Sequence, residues 1–255
     1  MIGGRAGLVI ITAMAAKRRS KPRRLIHRGR GYSVDRIQYG PEVGPGVTVA
    51  SPVDVARALQ DAPSPGDWDR MAVGIMPIFE RRRPFPFDVG RPLRTILPPG
   101  VSVTIAYDLG PALMRVTREV AAIWPVTEAD VVDRAMVNLR DRVEAALDGP
   151  DPVRPVSELL DDLAVRAIVS GEGWASTLLL VPDLLERLFG SEPCLFVAPM
   201  RDLLIAMPAS TDIGAATWWT EEFESLDPNC LCLESFAWEG RELIARPLSR
   251  EAATA

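Results

Sequence analysis

The chain of 255 residues contains one histidine, His27, three cysteines, two asparagines and two lysines, Lys17 and Lys21. It also lacks an uninterrupted apolar run of the ~20 residues that a membrane-spanning helix needs. Each scarcity removes a chemistry. Ser-His-Asp and Cys-His catalysis require an imidazole beside the nucleophile, and His27 lies within the basic stretch KPRRLIHRGR. HExxH zinc sites, two-His-one-carboxylate iron sites and zinc fingers with His ligands all need more histidines than the chain has. Neither GxxxxGK[ST] nor GxGxxG occurs, so the phosphate-cradling glycine loops are absent as sequence motifs. Acid–base work without a metal falls to Asp, Glu or Tyr. Cys194, Cys230 and Cys232 are odd in number and irregular in spacing, which does not describe a disulfide framework. They read as buried free thiols behaving as small hydrophobes. Three thiolates converging on zinc is the alternative metal reading, one ligand short of the usual four. No cofactor is implied. The excess of Arg over Lys, with abundant Ala, Pro and Val, reads as the codon usage of a GC-rich bacterial genome rather than as selection for bidentate recognition.

What is present is unevenly charged. Residues 1–36 carry ten Lys or Arg and one acid, Asp35, whereas the remaining chain holds 19 basic and 33 acidic residues, a net charge of −14. An acidic body with a basic arm argues against nucleic-acid binding by the body, because phosphate contacts need positive surface. The apolar stretch 6–16 has the length of a signal-peptide core, but its dense positive cluster follows it instead of preceding it. Residues 1–36 are therefore expected to be a disordered basic arm of a cytoplasmic protein, or upstream sequence if translation starts at Met14 or Met71. Residues 37–70 are rich in Pro and Gly and read as a linker or loose subdomain, with a short helix over 52–60 that Ser51 caps and Pro52 opens.

The globular domain is expected over residues 71–250, with 251–255 as a tail. MAVGIMPIF is an apolar run broken by Pro77, and Arg81–Arg83 reads as a solvated face. VSVTIAYDL (101–109) predicts a strand and 112–117 a second. The clearest helix spans 128–147, opened by Thr127 and Asp130 as a capping box, with a stripe of Val132, Ala135, Met136, Leu139, Val143, Ala146 and Leu147. Asn138 beside that stripe is expected to brace a neighbouring loop. DPVRPVSELLDDL reads as a short helical piece and 163–170 as a strand. A helix is expected over about 175–189, kinked or restarted at Pro182 and ended by Gly190. Residues 194–199 and 202–208 form a hairpin by spacing. Residues 211–226 are helical with Asp212 as cap, and a last hairpin turns at Glu239-Gly240. The order predicts an α+β fold, a mostly antiparallel sheet with helices packed mainly on one face.

Three segments together resemble an uncharacterised bacterial family, the domain of unknown function 1444 (YtpQ-like). They are VTIAYDLGPALMRVTREVAAIWPVTEADVVDRAMVNL (103–139), GWASTLLLVPDLLERL (173–188) and APMRDLLIAMP (198–208). The likeness covers about residues 71–250 and departs at Glu172-Gly173-Trp174, where the family has a glycine-aspartate lead-in. It implies an α+β fold and a soluble bacterial protein, and brings neither an activity nor catalytic residues.

Individual side chains suggest contacts more than catalysis. Ser176 follows a glycine turn, but Gly173-Trp174-Ala175-Ser176-Thr177 lacks the G-x-S-x-G spacing of a nucleophile elbow, so helix capping is its expected role. Arg201 and Asp202 sit at a hairpin tip, and Asp108 precedes Gly110-Pro111, where turn-stabilising bonds are the default. Trp218 and Trp219 point about 100° apart on a helix; one, Trp219 for preference, is left for an interaction surface beside Glu221 and Glu222. The candidate contact residues are thus Asp108, Trp174, Ser176, Arg201, Asp202 and Trp219. The expected function is a non-catalytic module binding another protein. Nucleic acid or an anionic membrane would be reached only through the arm. The alternative is an enzyme using Asp108, Arg201 and Asp202 as carboxylates and anion clamp.

Overall fold

A computed structural model describes residues 10–11, 24–27, 30–33, 52–79, 91–96, 102–110, 113–160, 163–170, 173–217, 220, 234–239 and 242–248. Its architecture is α+β, and every described strand pairing is antiparallel. The strands divide between two main sheets rather than one.

The first sheet has the order β1-β7-β6-β4, from Ile10–Ile11, Leu113–Arg115, Ser102–Asp108 and Ile75–Phe79, with β5 (Arg94–Ile96) also paired to β6. Pro77 sits in the middle of β4. It has no N–H to give to a ladder, which confines proline to sheet edges, and β4 is an edge strand. In the basic arm, where the sequence predicts disorder, three stretches are extended: β1 pairs with β7, and β2 (Arg24–His27) pairs with β3 (Arg30–Ser33).

The second sheet has the order β13-β12-β10-β11-β9-β8, from Glu242–Pro247, Glu234–Glu239, Cys194–Met200, Leu203–Pro208, Leu163–Val169 and Val156–Leu160. The run VSELL is strand β8 and not the helical piece its sequence suggests. Leu160 pairs with Leu163, so only two residues separate β8 from β9, and a two-residue hairpin overrides weak helical spacing in so short a segment. The β10–β11 hairpin forms as its spacing predicts; Met200 pairs with Leu203, placing Arg201 and Asp202 in the turn.

The central strands β10 and β11 of this second sheet are buried on both faces, which is why they read as continuous apolar runs. Along β10 and β11, Phe196, Ala198, Leu204 and Ala206 face one cluster, while Leu195, Val197, Leu203, Ile205 and Met207 face another. The first face is covered by the helices that carry Leu139, Val143 and Leu147 and Leu184, Leu185 and Phe189. The second face meets Ile213, Ala216 and Leu248, two of them in the helical segment 213–217, whose Asp212 accepts a hydrogen bond from the Ala215 N–H at 3.2 Å, as a cap should.

The chain also forms α1 (Pro52–Asp61), α2 (Trp68–Met71), α3 (Arg118–Ala121), α4 (Glu128–Asp148), a 3-10 turn over Ser176–Leu180 and α5 (Pro182–Phe189). The capping box of α4 is present: the Asp130 N–H donates to Thr127 Oγ1 at 3.2 Å, and the Thr127 N–H donates to Asp130 Oδ2 at 2.8 Å. Pro182 restarts rather than kinks its helix, standing in the first turn of α5 where no N–H is required. Gly190, at φ +80°, ends α5 in a conformation that other residues rarely adopt.

The buried residues of α4 are Val131, Ala135, Leu139, Val143 and Leu147. A strict four-residue step advances about 40° per step, or about 160° along the stripe. The stripe therefore winds from one cluster to another. Val131 and Ala135 pack with Ile75, Ile105 and Trp124, whereas Leu139, Val143 and Leu147 pack with Trp174, Leu178 and Leu185. Met76, Phe79 and Val103 of the first sheet share that latter cluster with Phe196 and Phe236 of the second; the Phe79 and Phe236 rings stack at 6.1 Å. Helix α4 and this contact join the two sheets into one packed body. Val132 and Met136, expected on the stripe, are only half-buried. No helix among the described residues is long and apolar enough to cross a membrane.

Candidate functional site

Four of the six candidate residues come together at one end of the second sheet. The carboxylate of Asp202 accepts the Gly173 N–H and the Ser170 hydroxyl, the latter at 3.2 Å. Ser170 Oγ in turn accepts the N–H groups of Trp174 and Ala175 at 3.1 and 3.2 Å. The Ser176 N–H donates to the Arg201 carbonyl at 3.0 Å, and the Ser170 N–H to that of Asp202 at 3.0 Å. Gly173 stands at φ +76°, the left-handed value the turn requires. The hairpin tip is thus a latch that holds the entry to the 3-10 turn against the end of β9.

Within this latch two sequence expectations change. Trp174 is 1% exposed and belongs to the main core, so it offers no contact surface. Its N–H is fixed by Ser170 and the following turn carries the ring inward. Ser176 does not cap the turn: the residue before the turn is Ala175, without a side-chain cap, and Ser170 supplies the oxygen instead. Ser176 Oγ is fully buried and has no hydrogen-bond partner among the described residues. Ser170 carries no motif beyond being a hydroxyl at a strand end, so the sequence offers little to single it out.

Asp108 belongs to a different network. Its carboxylate accepts the Gly110 N–H at 2.7 Å, an Asx turn, and pairs with Arg142 of α4. None of the bonds described here joins Asp108 to Arg201 or Asp202. Asn138 behaves as expected of a brace: its amide donates to the carbonyls of Ala72 and Ile75, both at 2.8 Å, and Arg134 adds a bond to Ala72 at 3.1 Å. Cys194 is buried and free; Arg166 donates to its sulfur at 3.2 Å and to the Phe189 carbonyl, capping the C-terminus of α5. Cys230, Cys232, Trp218, Trp219, Phe223, Arg81–Arg83 and Ser51 lie outside the described residues. Among the described residues no three His, Cys, Asp or Glu side chains gather as metal ligands.

The features that sequence reasoning missed are apolar. Among the described residues the three most exposed large apolar side chains are Val73 at 66%, Ile123 at 64% and Val137 at 46%, and each lies in or is linked to the segment 64–75. Ile123 approaches Gly66 to 3.5 Å of where a Cβ would stand. Next to it, the Trp124 indole donates to the Pro65 carbonyl at 2.7 Å and its ring meets Trp68 at 5.0 Å. Val137 lies between Arg134 and Asn138, which both hold Ala72, the neighbour of Val73. Asp69 and Arg70 of the same segment, and Asp133 and Arg134 one turn before Val137, are exposed charges of both signs. Helix α1 leads into this segment, and none of its residues from Ala56 to Asp61 is buried.

A second feature is a cleft of about 170 Å³ where the two sheets meet α4. Its buried wall is Pro77, Val103, Ile105, Leu179 and Leu243. Val132, Met136, Leu180 and Trp238, all half-buried, line it where it reaches the surface. The incomplete burial of Val132 and Met136 on the apolar side of α4 is thereby accounted for.

Ion pairs surround rather than build these features. Arg91 pairs with Glu119 at 2.9 Å and holds its carboxyl well below the usual range, at about 2. Arg140 of α4 grips Asp183 of α5 with two bonds of 2.6 and 2.7 Å and lowers its pKa. In the reverse sense Arg187 of α5 holds Asp148 of α4. No protein-family model, curated protein or solved structure matches the chain.

Proposed function

We propose that this is a cytoplasmic, non-catalytic module that binds another protein through the face around residues 64–75. The observation that carries this reading is that Val73, Ile123 and Val137, the most exposed large apolar side chains among the described residues, lie within residues 64–75, against them, or beside a residue bonded to them. Isolated exposed apolar residues are ordinary, but a cluster with a polar rim marks a contact site. The exposed charges Asp69, Arg70, Asp133 and Arg134 are of both signs, which suits a protein partner with an apolar centre better than a polyanion. The acidic body points the same way. The likeness to the uncharacterised family over about 71–250 adds no activity. The enzyme alternative gains no support, since the Asp108 and Asp202 carboxylates serve separate turns and neither lines the cleft.

The test compares the wild-type chain with the double variant Val73→Asp/Val137→Asp as bait in extract of the source cell. Both positions are exposed, so the variant should melt as the wild type does. A protein retained by the wild type and lost from the variant is the expected result, followed by direct binding of that protein in purified form. Identical recovery on both baits would remove the proposal.

A further inference from the structure

We draw no further inference here: the strongest candidate, the apolar cleft where the two sheets meet α4, walled by Pro77, Val103, Ile105, Leu179 and Leu243, carries nothing because nothing in the structure shows what fills it.

Discussion

Two polar side chains hold together parts of the chain far apart in sequence, and each gives a sharp expectation. Asn138 donates to two backbone carbonyls of the segment leading into β4. Asn138→Ala removes both bonds at a cost of about 1–2 kcal/mol, whereas Asn138→Asp places an anion against the same two carbonyls and should cost more. Urea unfolding of the two variants orders them; an aspartate variant as stable as the wild type would deny the brace. Asp202 accepts from a backbone N–H and a hydroxyl. Asp202→Ala leaves the Gly173 N–H unmet and is expected to destabilise by about 1–3 kcal/mol. Asp202→Asn keeps an acceptor oxygen and should recover part of that. The brace at Asn138 was legible in the sequence because an amide beside an apolar stripe has a short list of uses. The latch was not, since Ser170 became its central oxygen only when a strand end, a hairpin tip and a glycine turn met in space. Trp174 misled for a related reason: nothing local distinguishes a turn tryptophan that faces the core from one that faces solvent.

Among the elements, α4 was the most legible, with both of its signals, the capping box and the apolar period, lying within a few residues of each other. Its strict four-residue burial was less so, because the winding follows from two clusters that the sequence of α4 alone does not reveal. Strand β8 was misread because three apolar residues in five fit a helix as well as a strand, and its partner β9 decided the matter. Helices α4 and α5 are further tied by reciprocal pairs, Arg140 with Asp183 and Arg187 with Asp148. These carboxylates, and Glu119 with Arg91, have folded pKa values below their unfolded ones. Such groups contribute stability that is complete above the unfolded value and is lost as pH falls through the folded one. The urea midpoint should therefore decline below about pH 4.5 and continue to decline toward the value of about 2 that Arg91 imposes on Glu119. High salt should blunt the effect, since the pairs are exposed. A double-mutant cycle on Arg140 and Asp183 should return a coupling of about 0.5 kcal/mol, the range for solvent-screened pairs. A midpoint flat from pH 7 to pH 3 would contradict this assignment.

Across the whole molecule, two antiparallel sheets share one core through α4 and the Phe79–Phe236 contact. The α+β class was legible from the order of elements, while the division into two sheets was not, because hairpin spacing says which strands are neighbours and not where one sheet ends. Among the described residues the most exposed large apolar side chains, Val73, Ile123 and Val137, lie in or are linked to residues 64–75. The most direct measurement of their proposed role is the dissociation constant of the protein recovered from the source cell, purified and titrated against the wild type and against Val137→Asp. Weakening by about tenfold or more is expected, since a charge would be buried in an apolar contact. Equal affinity for the two chains, with Val137→Asp unfolding at the wild-type temperature, would contradict it.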